Sequence, residues 1–403
     1  MKSHSIWIYP WDIADEGIDR VLDRLQANGL NGINVAVSYH SGFFLLPRNP
    51  SRKLIFPEPG AIYIEPGRWY ASSPIQPPVS AIVDRKFWSK LREATRKRGM
   101  KLTAWTLLLH NSALGFRYPE TAAVNAFGDR LPTALCPSNA QLRRYFLDFY
   151  TDLAQNYEFD AILLESLECM PLRHGYHHEV MGVPMTKAIE FLLSLSFNPG
   201  MTAAAEAKGI DAANLARFVR DACCGHFADP FQQTYDWNWD ELLTHAPSDF
   251  LQYLQLREQL LLDLLTEIRR TIGANAPGTE LHAVDFGPLY GLGPRGTSWE
   301  NGVDLAKWTP VVDAFHPTFY FTDAAVLEKK IAEYRSLLAQ CGAIPAVIPA
   351  IRAILPQTAG EQDLLGQVRA LSPISQGFSF YNYGFMADQT LAWIGNAIRS
   401  KDA

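Results

Sequence analysis

The sequence predicts an α/β fold, specifically a (β/α)8 TIM barrel with large insertions after strands 2 and 4. Eight apolar segments alternate with eight helical segments along the 403 residues, which indicates repeated strand–helix units. The apolar segments lack a polar face, as is typical of buried parallel strands. No glycine-rich phosphate loop follows a strand, which argues against a doubly wound sheet. We expect one barrel domain spanning residues 1–403.

Each predicted strand is a short apolar run, and each predicted helix has apolar residues at helical spacing. The predicted strands are 5–12, 33–39, 101–110, 159–166, 279–286, 314–321, 344–351 and 377–384. The predicted helices are 16–29, 84–99, 138–157, 248–273, 303–313, 324–342, 362–371 and 388–400. Gly29 and Gly99 are expected to end the first two helices, and Ser138 to cap the third.

Two segments are too long to be simple connections. Residues 43–83 are rich in Pro, Gly and aromatic residues, and residues 171–247 contain further helical stretches. Both follow strand ends, on the face where barrel enzymes carry their active sites. We therefore expect both insertions to form the walls of a pocket.

The composition narrows the class of partner. The net charge is −6 with no basic run, which argues against nucleic acid. No apolar run approaches the ~20 residues of a membrane span, and the N-terminus does not resemble a signal peptide. Five cysteines without metal-ligand spacing suggest free thiols, so we expect a cytoplasmic protein. The 10 Trp and 16 Tyr favour a small carbohydrate partner, and the oligomeric state, a homo-oligomer included, stays open.

Polar side chains collect at the predicted carboxyl ends of the strands, where a barrel active site lies. In chain order they are Asp12, His40, His110, Asn111, Glu165, Glu168, Asp285, His316, Tyr320, Arg352, Tyr381 and Asn382. We expect most of them to bind substrate. The histidines are equally compatible with satisfied core positions.

Two of these residues, Glu165 and Asp285, are the catalytic candidates. Each directly follows apolar strand residues, where a charged carboxylate without partners costs several kcal/mol. A structural ion pair is the alternative reading of each. Adjacent strands lie ~4.8 Å apart, so the two carboxyls could flank one glycosidic bond, and we expect them within about 10 Å of each other. Glu168 and Asp12 are reserve candidates for the second role.

The stretch "HGYHHE" after strand 4 adds His174, His177 and His178, followed by Glu179. Such a cluster could ligate a metal ion, bind sugar hydroxyls, hold the catalytic carboxylate, or be solvated loop. It does not match the helical H-E-x-x-H pattern, and Gly175 interrupts a helix. We expect these histidines to contact substrate, with no metal and no cofactor.

The segments "YPWDIADEG", "LLLHNSALG", "NAFGDRLPTALCPSN" and "GYHHE" resemble a largely uncharacterised bacterial group of hydrolase-like barrel proteins, within the broad class of barrel glycoside hydrolases. The resemblance implies a barrel over nearly the whole chain and a strand-four acid at Glu165. One large clan of these hydrolases has Asn directly before the strand-four acid. This sequence departs from that pattern, because Leu164 precedes Glu165. Strand 7 also lacks a nucleophilic Glu. Barrels that use acids from strands 4 and 5 fit better.

The leading hypothesis is a glycoside hydrolase that acts on a small oligosaccharide or glycoside by a two-carboxylate mechanism. The alternatives are a metal-dependent sugar isomerase, epimerase or lyase, and a non-catalytic carbohydrate-binding barrel. The sequence leaves open the sugar, the linkage, the anomeric configuration, and whether hydrolysis retains or inverts it.

Overall fold

A computed structural model describes residues 2–173, 179–290, 300–342 and 345–400, and a parallel barrel lies at its centre. The strands are β1 (Ser3–Ile8), β2 (Gly32–Ala36), β3 (Phe44–Leu45), β4 (Leu54–Ile55), β5 (Lys101–Leu107), β6 (Ala122–Val124), β7 (Arg130–Leu135), β8 (Ala161–Glu165), β9 (Glu280–Asp285), β10 (Ala314–Pro317), β11 (Ala346–Val347), β12 (Ala350–Arg352) and β13 (Gly377–Tyr381). The central sheet has the order β11-β10-β9-β8-β5-β2-β1-β13-β12, and neighbouring strands pair in parallel.

The two edge strands of this sheet are parts of one extended stretch, 346–352. Its first part, β11, pairs with β10, and its second part, β12, pairs with β13. A parallel bridge between Thr318 and Ala350 joins the end of β10 to β12 as well. The stretch is therefore hydrogen-bonded on both sides and closes the sheet into eight strands, which confirms the predicted TIM-barrel class.

The helices surround the barrel. They are α1 (Pro10–Glu16), α2 (Ile18–Ala27), α3 (Arg85–Lys97), α4 (Ser112–Arg117), α5 (Ala140–Asn156), α6 (Lys187–Ser194), α7 (Pro199–Glu206), α8 (Ala212–Ala228), α9 (Trp239–His245), α10 (Phe250–Asn275), α11 (Gly287–Tyr290), α12 (Leu305–Trp308), α13 (Ala324–Leu338), α14 (Glu361–Leu371) and α15 (Asp388–Arg399). Short 3-10 helices lie at Arg68–Ser72, Pro119–Thr121, Pro230–Gln232, Ser372–Ile374 and Tyr383–Phe385. Among the described residues, no helix is both long and apolar enough to cross a bilayer.

Apolar spacing and capping explain why the outer helices form where they do. In α2, Val21, Leu22 and Leu25 are fully buried on one face. Burial of each such side chain is worth about 1.5–3 kcal/mol. Asn139 caps α5 by accepting a hydrogen bond from Leu142 N at 2.9 Å. The expectation that Ser138 is this cap is therefore wrong by one residue.

Strand one ends earlier than its apolar pattern suggests. β1 stops at Ile8, and Pro10 begins α1, because proline suits the first turn of a helix. Asp12 consequently lies in the first turn of α1 and not at a strand end. β2 and β10 likewise end three and four residues before their predicted limits, so the residues beyond them belong to loops.

The long segments between barrel strands have structure of their own. Residues 43–83 contain the β3–β4 hairpin and one 3-10 helix. Residues 171–247 contain α6 to α9, and their apolar side chains, with Phe250 and Tyr253 of α10, form a separate core. An excursion that the sequence reading did not single out, α4 with the β6–β7 hairpin, follows β5. How the two predicted insertions relate to a pocket stays a prediction.

Side-chain alternation along the strands decides which residues face the barrel interior. Register pairs Leu163 with Trp105 and with His282, which places Glu165, two residues after Leu163, on the same inner face. On the other side of the barrel, Asn34 Nδ2 donates to Ser5 Oγ and to Ser379 Oγ. The interior is thus packed with aromatic and small polar side chains, and its upper layer contains Glu165.

Candidate active site

Glu165 stands at the carboxyl end of β8 and faces the barrel mouth. Its Oε2 accepts a short hydrogen bond from the indole Nε1 of Trp105, which lies on the adjacent strand β5. Burial raises the pKa of Glu165 to about 7, although the Trp105 hydrogen bond acts in the opposite direction. A carboxyl group with this pKa exchanges protons readily near neutral pH.

Four tyrosines surround this carboxyl group. Tyr9 and Tyr39 each lie 5.2 Å from Trp105, ring centroid to centroid, and the hydroxyls of Tyr39 and Tyr381 are 3.5 Å apart. Burial raises the pKa values of Tyr39, Tyr320 and Tyr381, and the Glu165 charge raises them further. All these hydroxyls are therefore protonated at neutral pH and can donate hydrogen bonds.

Arg352, at the end of β12, lies on the other side of Tyr320 and Tyr381. Its register partner is Tyr381, and its charge lowers the pKa of both tyrosines. Its Nε is buried without a hydrogen-bond partner among the described residues. The Glu165 carboxyl and the Arg352 guanidinium thus both lie near the hydroxyls of Tyr320 and Tyr381.

Glu168 is the second carboxyl group at this end of the barrel. Ser166 has a left-handed backbone (φ 58°), uncommon for a residue with a side chain, so the chain turns directly after Glu165. Glu168 is 2% exposed and its Oε1 has no hydrogen-bond partner among the described residues. Burial, followed by the charges of Glu165 and of Asp285, raises its pKa well above the ordinary range. Burial and the two neighbouring carboxyls therefore favour the neutral form of Glu168.

Asp285 ends β9 on the opposite face of the sheet from Glu165. Register pairs His282 and Val284 with inward residues, so Asp285 faces the outer helices. Its Oδ1 accepts from Gly287 N at 2.8 Å, and Tyr334 of α13 lies beside it without completing a well-formed hydrogen bond. Burial raises its pKa to about 6. Glu168 is the residue that lies close to both other carboxyls, and the pairing of Glu165 with Asp285 stays a prediction.

His316 lies deeper in the barrel than the mouth residues. Its Nε2 is 3.1 Å from Nδ1 of His282, whose Nε2 is 3.0 Å from Glu280 Oε2 at the barrel floor. Burial, followed by the neighbouring His282, lowers the pKa of His316 well below its usual value. His316 is thus a neutral interior residue next to Trp7, whose ring centroid is 6.3 Å away.

His40 and His110 lie together beside the mouth. Their ring centroids are 4.6 Å apart, and His40 stacks on Tyr39 at 4.2 Å. His110 Nδ1 is 3.0 Å from the carbonyl oxygen of Thr133, and burial lowers the pKa of its ring. Through Tyr39, this pair borders the group of tyrosines around Glu165.

Three predicted binding residues have structural partners. Asp12 Oδ2 accepts from Tyr9 N at 3.3 Å, and burial raises the pKa of Asp12 to about 8. Asn111 Oδ1 caps α4 by accepting from Leu114 N at 3.0 Å. Asn382 is fully buried, and its Oδ1 accepts from Gly384 N at 3.1 Å. These side chains shape the loops that carry the mouth residues.

The predicted histidine cluster, His174, His177 and His178, lies outside the described residues. Within the described ranges, no group of three or more His, Cys, Asp or Glu side chains could hold a metal ion. The described carboxyls at the mouth are thus neighbours without forming a metal-binding set.

A cavity of about 600 Å³ opens beside the mouth, a volume within the range of small-ligand pockets. Arg352 and Tyr381 line it on the barrel side. Phe43, Phe44, Leu45 and Pro47 of the first predicted insertion line it together with mostly apolar side chains from 353–359 and 385–393. The cavity therefore adjoins the same guanidinium and hydroxyl groups that lie near Glu165.

Sequence reasoning missed two of the site's central residues, Trp105 and Tyr9. Both lie on or just after strands and face inward. Trp105 could have been found from alternation: it lies at an even spacing from Thr103 and Leu107, on the side that register shares with Leu163.

The comparisons with known proteins concern the fold. No protein-family model matches the sequence, and no curated protein matches it. The structure is similar to the glycoside hydrolase domain of PgaB (BpsB) from Bordetella bronchiseptica, with a TM-score of 0.64, 14% identity and 100% of both chains covered.

Two further similar structures are longer proteins. An α-L-fucosidase from Paenibacillus thiaminolyticus has a TM-score of 0.58 and 11% identity over 98% of this chain and 49% of its own. A β-galactosidase from a psychrophilic Marinomonas has a TM-score of 0.57 and 11% identity over 98% of this chain and 59% of its own. At these identities the likeness establishes a glycoside hydrolase-like fold.

Proposed function

We propose that the protein is a glycoside hydrolase acting on a small oligosaccharide or glycoside through two carboxyl groups. The observation that carries this proposal is the pair of neighbouring carboxyls, half-buried Glu165 and buried Glu168, whose pKa values are raised with no cationic group among the causes. Paired carboxyls whose protonation is separated by their surroundings are the apparatus of glycoside hydrolysis. The likeness to glycoside hydrolase structures supports the same class.

The two carboxyls take different roles in this proposal. Glu165, with a pKa of about 7, is ionised in a large fraction of molecules at neutral pH and serves as nucleophile or base. Glu168 keeps its proton and donates it to the leaving oxygen, because the carboxyl with the higher pKa is the natural acid. Tyrosine hydroxyls around Glu165 hold the sugar ring by hydrogen bonds.

Asp285 remains the alternative partner that the sequence suggests. Its carboxyl faces α13, so it would need Glu168 as an intermediary or a different side-chain position to reach substrate. Glu168→Gln and Asp285→Asn distinguish the two assignments. We expect Glu168→Gln to lower kcat on glycosides with poor leaving groups far more than on activated aryl glycosides, whose departure needs no proton, and Asp285→Asn to show no such split.

The direct test is Glu165→Gln, assayed for hydrolysis of a panel of aryl glycosides and small oligosaccharides. We expect kcat/KM to fall about 100- to 10,000-fold, the range for loss of a positioned acid–base group. Glu328→Gln, at an exposed position of α13, is the matched control and should retain wild-type activity.

Circular dichroism and a thermal melt would show that both variants fold. Turnover by Glu165→Gln within a few-fold of wild type, or no hydrolysis of any glycoside by the wild-type protein, would contradict the proposal. In the second case the non-catalytic carbohydrate-binding barrel becomes the better reading.

A further inference from the structure

Arg352 is a charged side chain for which the described residues provide no partner. Within the described part of the chain, its guanidinium donates no hydrogen bond and forms no ion pair, and its Nε is closed off from solvent. The buried Nε–H loses hydration without compensation among these residues, and a ligand anion would supply the missing acceptor.

Arg352 does not act as the counter-ion of the catalytic carboxyl. The groups that shift the pKa of Glu165 are its burial and Trp105, and Arg352 is not among them. Tyr320 and Tyr381 feel both charges, Glu165 raising and Arg352 lowering their pKa values. These two tyrosines therefore lie near both the carboxyl and the guanidinium.

The surroundings of Arg352 suit a ligand group and not a protein partner. Arg352 and Tyr381 line the cavity of about 600 Å³, whose other walls are mostly apolar. An anion bound there would meet the planar fork of N–H donors of Arg352, which forms strong charge-assisted hydrogen bonds with anions. Burial disfavours the charged form of Glu168, which limits the repulsion of such an anion.

We propose that Arg352 selects an anionic sugar: the sugar unit next to Glu165 carries a carboxylate or phosphate group that the Arg352 guanidinium binds. The inference deepens the proposed function by naming the substrate class. It depends on the proposed function only because that function places the sugar ring next to Glu165. The preference for an anion concerns binding and can be measured without hydrolysis.

Calorimetric titration of the wild-type protein tests this with two matched pairs, D-glucuronate against D-glucose and D-galacturonate against D-galactose, and with glucose 6-phosphate. We expect at least one acidic sugar to bind about 10- to 100-fold more tightly than its neutral counterpart, the range for charge-assisted hydrogen bonds. The uronates and the phosphate ester distinguish the two anions. Acetate and inorganic phosphate show whether the anion alone is bound.

Variants locate the preference. Arg352→Met should bring acidic and neutral sugars to within about two-fold of each other, and Arg352→Lys should keep part of the difference, because lysine keeps the charge but loses the fork. Arg20→Met, at an exposed position of α2, is the control and should leave the preference unchanged. Thermal melts would verify folding of each.

The two proposals fail separately. Glu165→Gln should lose turnover and keep the acidic preference, since Arg352 is intact. If acidic and neutral sugars bind wild type equally, or not at all, or if Arg352→Met keeps the preference, the anion site is wrong whatever the assay of hydrolysis shows. A preserved preference without any hydrolysis would instead contradict the proposed function alone.

Discussion

At the amino-terminal floor of the barrel, Asp160 and Asp313 occupy equivalent positions just before β8 and β10. Asp160 accepts two hydrogen bonds of 2.7 Å from Arg92 and one from Leu102 N. Asp313 accepts two from Arg269 and one from Leu281 N. Each carboxylate thereby ties an outer helix to the neighbouring strand.

At the carboxyl-terminal mouth, the carboxyls have few partners. Glu165 accepts one hydrogen bond from an indole, Glu168 Oε1 has no partner among the described residues, and Asp285 accepts one bond from a backbone amide. The pKa values follow: Arg92 and Leu102 N help to lower that of Asp160, whereas burial raises all three at the mouth. The floor carboxylates stabilise the fold, and the mouth carboxyls cost stability when ionised.

The largest expected effect concerns the pH dependence of stability at the mouth. The pKa of Glu165 is raised from 4.5 to about 7, so its stability contribution is fully present below pH 4.5 and is lost as pH rises through about 7. Between these values wild type should lose about 1.4 kcal/mol per pH unit relative to Glu165→Gln, about 3 kcal/mol in all.

Urea unfolding at several pH values between 4.5 and 8 measures this difference. Glu328→Gln, on the exposed face of α13, should run parallel to wild type throughout. A constant difference between wild type and Glu165→Gln over this window would mean that Glu165 titrates normally, and the contrast between mouth and floor would disappear for this residue.

A smaller effect is expected at the floor. Asp160→Asn removes the charge that Arg92 and Leu102 N bind, and should lower the free energy of unfolding at pH 7 by about 1–3 kcal/mol while leaving hydrolysis unchanged. Its neighbour Glu158 pairs with Arg96 at an exposed site, so Glu158→Gln should cost less than about 1 kcal/mol.

Urea unfolding measures both variants. If Asp160→Asn and Glu158→Gln lower the free energy of unfolding equally, the hydrogen bonds of Asp160 stabilise the fold no more than an exposed ion pair does. The Asp160→Asn deficit should also shrink in acid, since the pKa of Asp160 is lowered and its contribution is lost as pH falls through that value.

The smallest effect concerns the single hydrogen bond that Glu165 receives. Trp105→Phe keeps an aromatic ring but removes the indole N–H. In the wild-type protein this N–H stabilises the charged form of the Glu165 carboxyl, so its loss should raise the pKa of Glu165. The acidic limb of the pH profile of kcat/KM should therefore move to higher pH. The expected shift is less than about one pH unit, which corresponds to about 1 kcal/mol. A limb that stays in place or moves to lower pH would mean that the bond does not set the proton affinity of Glu165.

Part of the site was accessible from sequence. The run "AILLE" predicts a buried strand ending in Glu165, and "AIR" and "FSFYN" place Arg352 and Tyr381 at later strand ends. These residues do lie together at the mouth. Asp285 looked equivalent in sequence, but it falls on the outer face, because the register of β9 against β8 decides which of two alternating sets points inward.

The sequence by itself determined the barrel. Apolar runs, helical spacing and the number of units are local patterns, and burying eight two-sided strands leaves few architectures. The tertiary structure alone decided the division of the seventh strand, the structural roles of Asp12, Asn111 and Asn382, and the placement of Glu168 between two other carboxyls. These features depend on register, loop turns and contacts between residues far apart in the chain, and a pKa depends on the burial and neighbours that only such contacts create.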